Sequence, residues 1–528
     1  MEARGNPSTA QHLPREAKAQ DSDDAELSNA TSETVLKSNP RMPDQVDGIG
    51  DDQIEDAEER LTLMNQPFRI EQDCLGDVRV PEAALWGAQT QRSIENFAIG
   101  LERMPNELIH ALARIKGCCA VVNARHGLLS IEQADRIKGA AESIAAGHHD
   151  EQFPLKVWQT GSGTQTNMNV NEVISNLVSR DCGETLGSHR PVHPNDHVNR
   201  SQSTNDVFPA AIHLAAASQL HHLLLPTLKE LTQSLDTKAA AWGSIVKIGR
   251  THLQDAVPLT LGDEVSAWRD QLIQCRQWIT SALNDLSHLP LGGTAVGTGL
   301  NTPPGFSEDV ARELSRESGM TFHRAENLFA VMGGHDALVQ TMGQIRLLAV
   351  ALLRIGNDIR LLGCGPRAGL GELRLPANEP GSSIMPGKIN PTQCEALAMV
   401  CTQVMGLDSA VAAAGAGGHL QMNAYKPLIG FNLLQSIRLL TDAMRSFRCN
   451  LVEGLEPDRD RIQQFVERSL MLVTALTPSI GYSKASAIAH RAHAEGLTLR
   501  AAALELGHIT EEEFDQIVDP SAMARPHP

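Results

Sequence analysis

HDALVQTMGQIRLLAVALLRIGNDIRLL, residues 335–362, reads as one long helix. Its apolar residues Leu338, Met342, Ile345, Ala349, Leu352 and Ile355 recur at three- and four-residue spacing, which lines them along one helical face. The stripe stops at Gly363 and Pro366 follows, as at a helix end. Such a segment is roughly 40 Å long, well beyond the average globular helix. Residues 263–289 repeat the pattern with Trp268, Leu272, Trp278 and Leu283, halting at Pro290. Residues 206–242 and 395–450 have similar character. Helices this long bury their stripes only against each other, so an all-α bundle is expected. The charged residues Arg354, Asp358 and Arg360 on these stretches read as solvated faces or interhelical pairs.

The composition points the same way. Aromatics are 3 % of 528 residues, with two Tyr, too few for a β-rich sandwich. Apolar residues at 41 % and charged residues at 20 % suit a soluble globular protein large enough for about three domains. A net charge of −18 is the wrong sign for nucleic-acid phosphates or an anionic membrane surface. The nine Cys are scattered without a CxxC pair, so no zinc site or iron–sulfur cluster is indicated. Free thiols, and no metal or other cofactor, are expected.

Residues 1–66 stand apart, with 15 Asp and Glu against 6 Lys and Arg. Without a sustained apolar period, this acidic stretch is expected to be a disordered tail. It has neither the apolar core of a signal peptide nor the Arg-rich, acid-poor character of a mitochondrial presequence. No later run reaches the ~18 apolar residues of a membrane span. A cytoplasmic location is therefore expected.

Four polar, glycine-bearing segments interrupt the helices: QTGSGTQTNMNVNEV (159–173), HPNDHVNRSQSTND (193–206), GRTHLQD (249–255) and NEPGSSIMPGKINPTQCE (378–395). Each sets hydrogen-bonding side chains beside a backbone that can approach a ligand closely. One such segment is an ordinary turn; four together suggest a composite polar site. Gly381, Pro386 and Gly387 also bracket an apolar pair, Ile384 and Met385, which suits either a mobile lid or a static turn.

The GSSIMPGKIN segment at 381–390 closely resembles the signature of the fumarase/aspartase superfamily, and the other three segments resemble its remaining blocks in order. LWGAQTQRS (85–93), WQTGSGTQ (158–165), LGGTAVGTGLNT (291–302) and SLMLVTAL (469–476) resemble the class II fumarases in particular. The resemblance runs from about Arg69 to near the C-terminus. It implies an all-α, three-domain subunit, here divided as 67–202, 203–460 with the central bundle, and 461–528. It also implies a homotetramer whose active sites are each shared by three subunits. The activity implied is reversible, metal-free hydration of fumarate to (S)-malate in the tricarboxylic acid cycle.

Adding water beside a carboxylate passes through a carbanion, so a site needs fixed donors, a base and an acid. By resemblance, Ser382 is the base that takes the C3 proton of malate, while His252 and Glu395 order the water or leaving hydroxyl. For Glu395 an orienting salt bridge is the plainer alternative. Substrate binding falls to Ser162, Gly163 and Thr164, to Ser203, Thr204 and Asn205, and to Thr251. Ser383, Lys388, Ile389 and Asn390 complete that set, with Lys388 the cation. Arg190 and His193, Pro194, Asn195 and Asp196 resemble a second dicarboxylate site of class II fumarases, although the same residues suit a plain turn.

The nearest rival is an aspartate ammonia lyase or a relaxed dicarboxylate lyase of the same fold. His252, Thr160 to Thr164 and TQCE at 392–395 follow the fumarases instead. LQMNAYKP at 420–427, with Gln421, resembles the ammonia lyases more, and Leu328 and Ala330 replace the Lys and Glu of fumarases. A silent structural paralogue is a further alternative, against which Ser382, Lys388 and His252 are all retained.

Overall fold

A computed structural model describes residues 67–525; the acidic stretch 1–66 lies outside the described residues. The chain begins with a hairpin of β1 (Phe68–Asp73) and β2 (Gly76–Pro81). Helices α1 (Ala88–Asn96), α2 (Asn106–Arg125), α3 (Ile131–Ala145) and α4 (Thr164–Asp181) follow. Next come α5 (Thr204–Gln219), α6 (Leu225–Ala241), a second hairpin of β3 (Val246–Thr251) and β4 (Gln254–Thr260), and α7 (Leu261–Leu286). Short parallel strands β5 (His288–Leu289) and β6 (His323–Arg324) flank α8 (Phe306–Ser318), and α9 (Leu328–Gly333) leads into α10 (Asp336–Leu362). Strand β7 (Leu373–Arg374), α11 (Thr392–Ala416) and α12 (Lys426–Phe447) precede β8 (Glu456–Pro457), which pairs with β7, and α13 (Arg459–Arg468). Five short helices close the described chain: α14 (Thr477–Ile480), α15 (Tyr482–Glu495), α16 (Leu499–Glu505), α17 (Glu511–Ile517) and α18 (Pro520–Met523).

The all-α expectation holds, with the few strands confined to two-stranded pieces. Helix α10 buries Leu338, Met342, Ile345, Ala349, Leu352 and Ile355 as its periodicity requires, and packs against α7 and α11. Helix α11 repeats the device with Leu397, Cys401, Val404 and Val411, and packs on α12. A capping box at Thr260 and Asp263 starts α7. Its buried stripe runs Trp268, Leu272, Cys275, Ile279, and Trp278 is 41 % exposed. Ten residues beyond Trp268, position 278 lies about 80° off that stripe, so its size misled the sequence reading. The stretch 206–242 is two helices joined by a wider π turn at Leu220–Leu224, and 395–450 is divided by the loop between α11 and α12.

By length and mean hydropathy α10 and α11 could each cross a membrane, though neither is an unbroken run of apolar residues. Leu, Ile and Val carry the apolar character of α10, and Ala, Val and Met that of α11. Burial covers 44 % and 28 % of their most apolar windows. Leu347, Val350, Leu361 and Met399 remain exposed on the subunit surface. All nine cysteines are free.

The core continues from α2 through α13, and a second apolar cluster gathers Val466, Leu476, Ile488, Ala502 and Phe514 around Ile248 of β3. Beside Ile248 lies a buried ionic knot. The Glu372 carboxylate, with no exposed surface, sits 2.8 Å from Lys247 Nζ and 2.7 Å from Arg250 Nη2, contacts that are ionic rather than well-aligned hydrogen bonds. Lys247 also donates to Glu264 of α7 at 2.6 Å. The backbone of Glu372 continues the link: its N–H donates to Leu362 O at the end of α10, and its carbonyl accepts from Asp458 N. Removing one member of a buried charge group strands the others. Glu372→Gln is therefore expected to lower unfolding free energy by about 3–5 kcal/mol, measured by denaturant titration at neutral pH.

Candidate active site

Two helix N-termini supply the first part of the site. Gly163 precedes α4 with a left-handed φ of +82°, and a Cβ there would lie 2.4 Å from the Phe208 ring of α5. Gly161 is equally constrained, since a Cβ would meet Ala424 O at 1.5 Å; its carbonyl accepts from Lys426 N at 3.0 Å. Between them Ser162 Oγ lies 2.8 Å from Thr164 Oγ1. Gln159 Oε1 accepts from Thr166 N at 3.1 Å, which leaves the N–H groups of Thr164 and Gln165 and the positive end of the α4 dipole available to an anion.

Helix α5 starts beside it. Ser203 Oγ accepts from Asn205 N, and Asp206 Oδ1 accepts from Ser203 N at 2.9 Å. Asp206 Oδ2 accepts from Gly292 N and Thr294 N at 3.0 Å each, and Asn205 Nδ2 donates to Ala295 O at 2.9 Å. Burial pushes the Asp206 carboxyl up to about 6, against the pull of these backbone donors. Asn167 Nδ2 of α4 donates to Thr204 Oγ1 at 3.0 Å, joining the two substrate-binding segments assigned by resemblance. Because Thr204 Oγ1 is an acceptor there, its own O–H is left to point elsewhere.

His252 and Leu253 form the two-residue tip of the β3–β4 hairpin, both left-handed at φ +57° and +60°. Thr251 and His252 are exposed. Lys247 and Arg250 of β3 fasten the hairpin to Glu372, with Arg250 two residues from the His252 tip.

Ser382 occupies a loop folded on itself. Its Oγ accepts from Ile384 N at 3.3 Å and Met385 N at 3.1 Å. Asn390 Nδ2 donates to Gly381 O at 2.6 Å, closing the loop's base. A Cβ on Gly381 would lie 2.0 Å from Lys388 O, so glycine is what lets the two strands of the loop touch. Ser383, Lys388 and Ile389 are exposed, and Ile384 is 83 % exposed. Glu395 follows in the first turn of α11, also exposed, where an acid complements the helix dipole.

Within the subunit the structure joins the Ser162–Thr164 and Ser203–Asn205 segments to each other. Among the described residues no hydrogen bond or salt bridge links Ser382, Lys388, His252 or Glu395 to them. The proposed second-site residues stand on another turn, where His193 Nδ1 accepts from Asn195 N and Asp196 N and the Arg190 side chain is exposed.

Sequence reasoning passed over the charges beneath these segments. Glu172 of α4, 5 % exposed, accepts from Gly87 N, Gln89 N and Thr90 N, capping α1 and tying LWGAQTQRS to α4. Burial pushes it up to about 7. Lys116 of α2 is completely buried. The available signal was position: Lys116 falls on the same face as Leu112, and Asn167, Asn169 and Asn171 crowd a helix with no exposed face.

A lyase fold with a serine-bearing glycine loop is what these elements define. Residues 76–406 match the family described as Lyase, and 472–525 match the one described as Fumarase C C-terminus. The fumarate hydratase class II of Parasynechococcus marenigrum is 70 % identical over 464 residues, covering 88 % of this chain and all of that protein. That of Pseudomonas aeruginosa, class II 1, is 57 % identical over 86 % of this chain and 98 % of its own length. The class II fumarase of Schistosoma mansoni superposes with a TM-score of 0.85 at 45 % identity, covering 88 % of this chain and all of its own. The chain belongs to the class II fumarate hydratase family.

Gly381→Ala should collapse activity without weakening the fold, because the clash is confined to an exposed loop. A fall in kcat/KM of at least about 100-fold is expected, with unfolding free energy changed by no more than about 0.5 kcal/mol. Steady-state kinetics and thermal melts check both halves.

Proposed function

We propose that this chain reversibly hydrates fumarate to (S)-malate as a metal-free homotetramer, serving the tricarboxylic acid cycle in the cytoplasm. The observation that carries the chemistry is the pair of backbone N–H groups on Ser382 Oγ, in the same loop as Lys388. Two fixed donors and a nearby cation favour the alkoxide, which turns a weakly acidic hydroxyl into a base. In the dehydration direction Ser382 removes the C3 proton of malate, and the electron pair spreads into the adjacent carboxylate. Lys388, Asn390 and the α4 N-terminus hold that charge. His252, with Glu395, delivers a proton to the C2 hydroxyl, which leaves as water as the double bond forms. Hydration reverses each step.

Shared active sites are supported by the absence, among the described residues, of any hydrogen bond or salt bridge joining the Ser382 loop, the His252 tip and the α4–α5 segments. Assembly is supported by the exposed apolar faces of α10 and α11. Covering such faces is the ordinary reason for a bundle between subunits.

Purified protein given fumarate in EDTA, with and without ammonium, is expected to yield malate in both cases. Aspartate as the product, or activity that returns only on adding a divalent metal, overturns the reading. Ser382→Ala is expected to lower kcat by about 100- to 10,000-fold while leaving calorimetric binding of a non-reacting dicarboxylate largely intact. Turnover within about threefold of the parent would transfer the base's role elsewhere.

A further inference from the structure

Lys116 has no exposed surface, yet it forms no salt bridge among the described residues. Its Nζ donates to Asn199 Oδ1 at 2.8 Å. The same oxygen accepts from Asn167 Nδ2 and from Asn171 Nδ2, each at 3.3 Å. Three donors on one oxygen fix the orientation of the Asn199 amide. The second N–H of Asn167 goes to Thr204 Oγ1. A buried ammonium is thus connected through two amides to a hydroxyl of the α5 N-terminus.

Buried charges are ordinarily paired, because taking an ion out of water is expensive. Here the neighbouring partner is a neutral amide. Asp206 of α5 and Cys119 of α2 are the titratable groups that act on Lys116, and Asp206 is already engaged by three backbone N–H groups. The cation has no counter-charge in contact with it, Asp206 acting on it only at a distance, and it stands beside segments open to an anion. We propose that Lys116 is a positioning residue for the dicarboxylate: its unpaired ammonium supplies part of the attraction and, through Asn199 and Asn167, turns the Thr204 hydroxyl toward the substrate. The inference rests on reading the Ser162–Thr164 and Ser203–Asn205 segments as substrate-binding.

Burial draws Lys116 down to about 7, so the free protein carries this proton only in part at neutral pH. A bound dianion favours the charged form. Dicarboxylate binding near pH 7.5 should take up a proton, and affinity should fall as pH rises through the Lys116 transition.

Asn199→Asp tests the charge with little change in shape, by setting a carboxylate against Lys116; Lys116→Met removes the charge. Both are expected to raise KM for fumarate and malate by about tenfold or more while kcat stays within about threefold. Calorimetry of succinate binding in buffers of different ionisation enthalpy reads the proton directly. Uptake is expected in the parent and should be lost in Asn199→Asp. A parent that binds succinate without proton uptake, or an Asn199→Asp variant with unchanged KM, overturns the proposal. If Lys116→Met fails to fold, the parent and Asn199→Asp measurements still decide. A parent that does not hydrate fumarate at all would instead sink the reading of the site, a separate outcome.

Discussion

Glu372 is the residue through which the exposed parts of the candidate site are referred to one frame. Its carboxylate meets Lys247 and Arg250 of β3 with no access to water, so the hairpin cannot slide without exposing or stranding a charge. Its backbone meets the end of α10 on one side and the start of α13 on the other. The chain then runs from β7 toward Ser382. The exposed His252 tip and the exposed Ser382 loop are therefore both projected from one desolvated knot. Such a knot contributes less to net stability than its short distances suggest, because desolvation offsets much of the attraction. Its effect is on geometry.

Buried charges also sit beneath the segments around α4 and α5. Glu172 gathers the N-terminus of α1, Asp206 gathers Ser203 with Gly292 and Thr294, and Lys116 gathers Asn199. Loops rich in Gly and Ser have little intrinsic stiffness. Backbone N–H groups converging on a buried carboxylate give them a single conformation, and the long helices supply the buried place in which that carboxylate can sit.

Much of the architecture was legible because it is written in periodicity. The α10 stripe is regular, it ends at Gly363 as helix chemistry requires, and it is buried as expected. The break at Leu220–Leu224 was passed over although Pro226, which cannot donate a backbone hydrogen bond and stands at the start of α6, marks it. The polar segments were visible as composition, and their resemblance to a known family named the family correctly. The buried charges left only a faint signal, their position on an apolar face, for a physical reason. A single Lys or Glu within a helix reads as a solvated face unless its helical position is weighed, and packing settles that Lys116 and Glu172 face inward.

The hairpin tip bears on attempts to stabilise this enzyme. A two-residue turn with both residues left-handed is normally filled by Asn and Gly, whereas His252 and Leu253 each cost roughly 1–2 kcal/mol of backbone energy there. Leu253 is also 72 % exposed, so burial within the subunit returns little of that cost. A thermostabilisation campaign blind to chemistry would select this turn early and replace both residues. Melting temperature and turnover would then move in opposite directions, which makes positions 252 and 253 the ones to hold fixed in any consensus library.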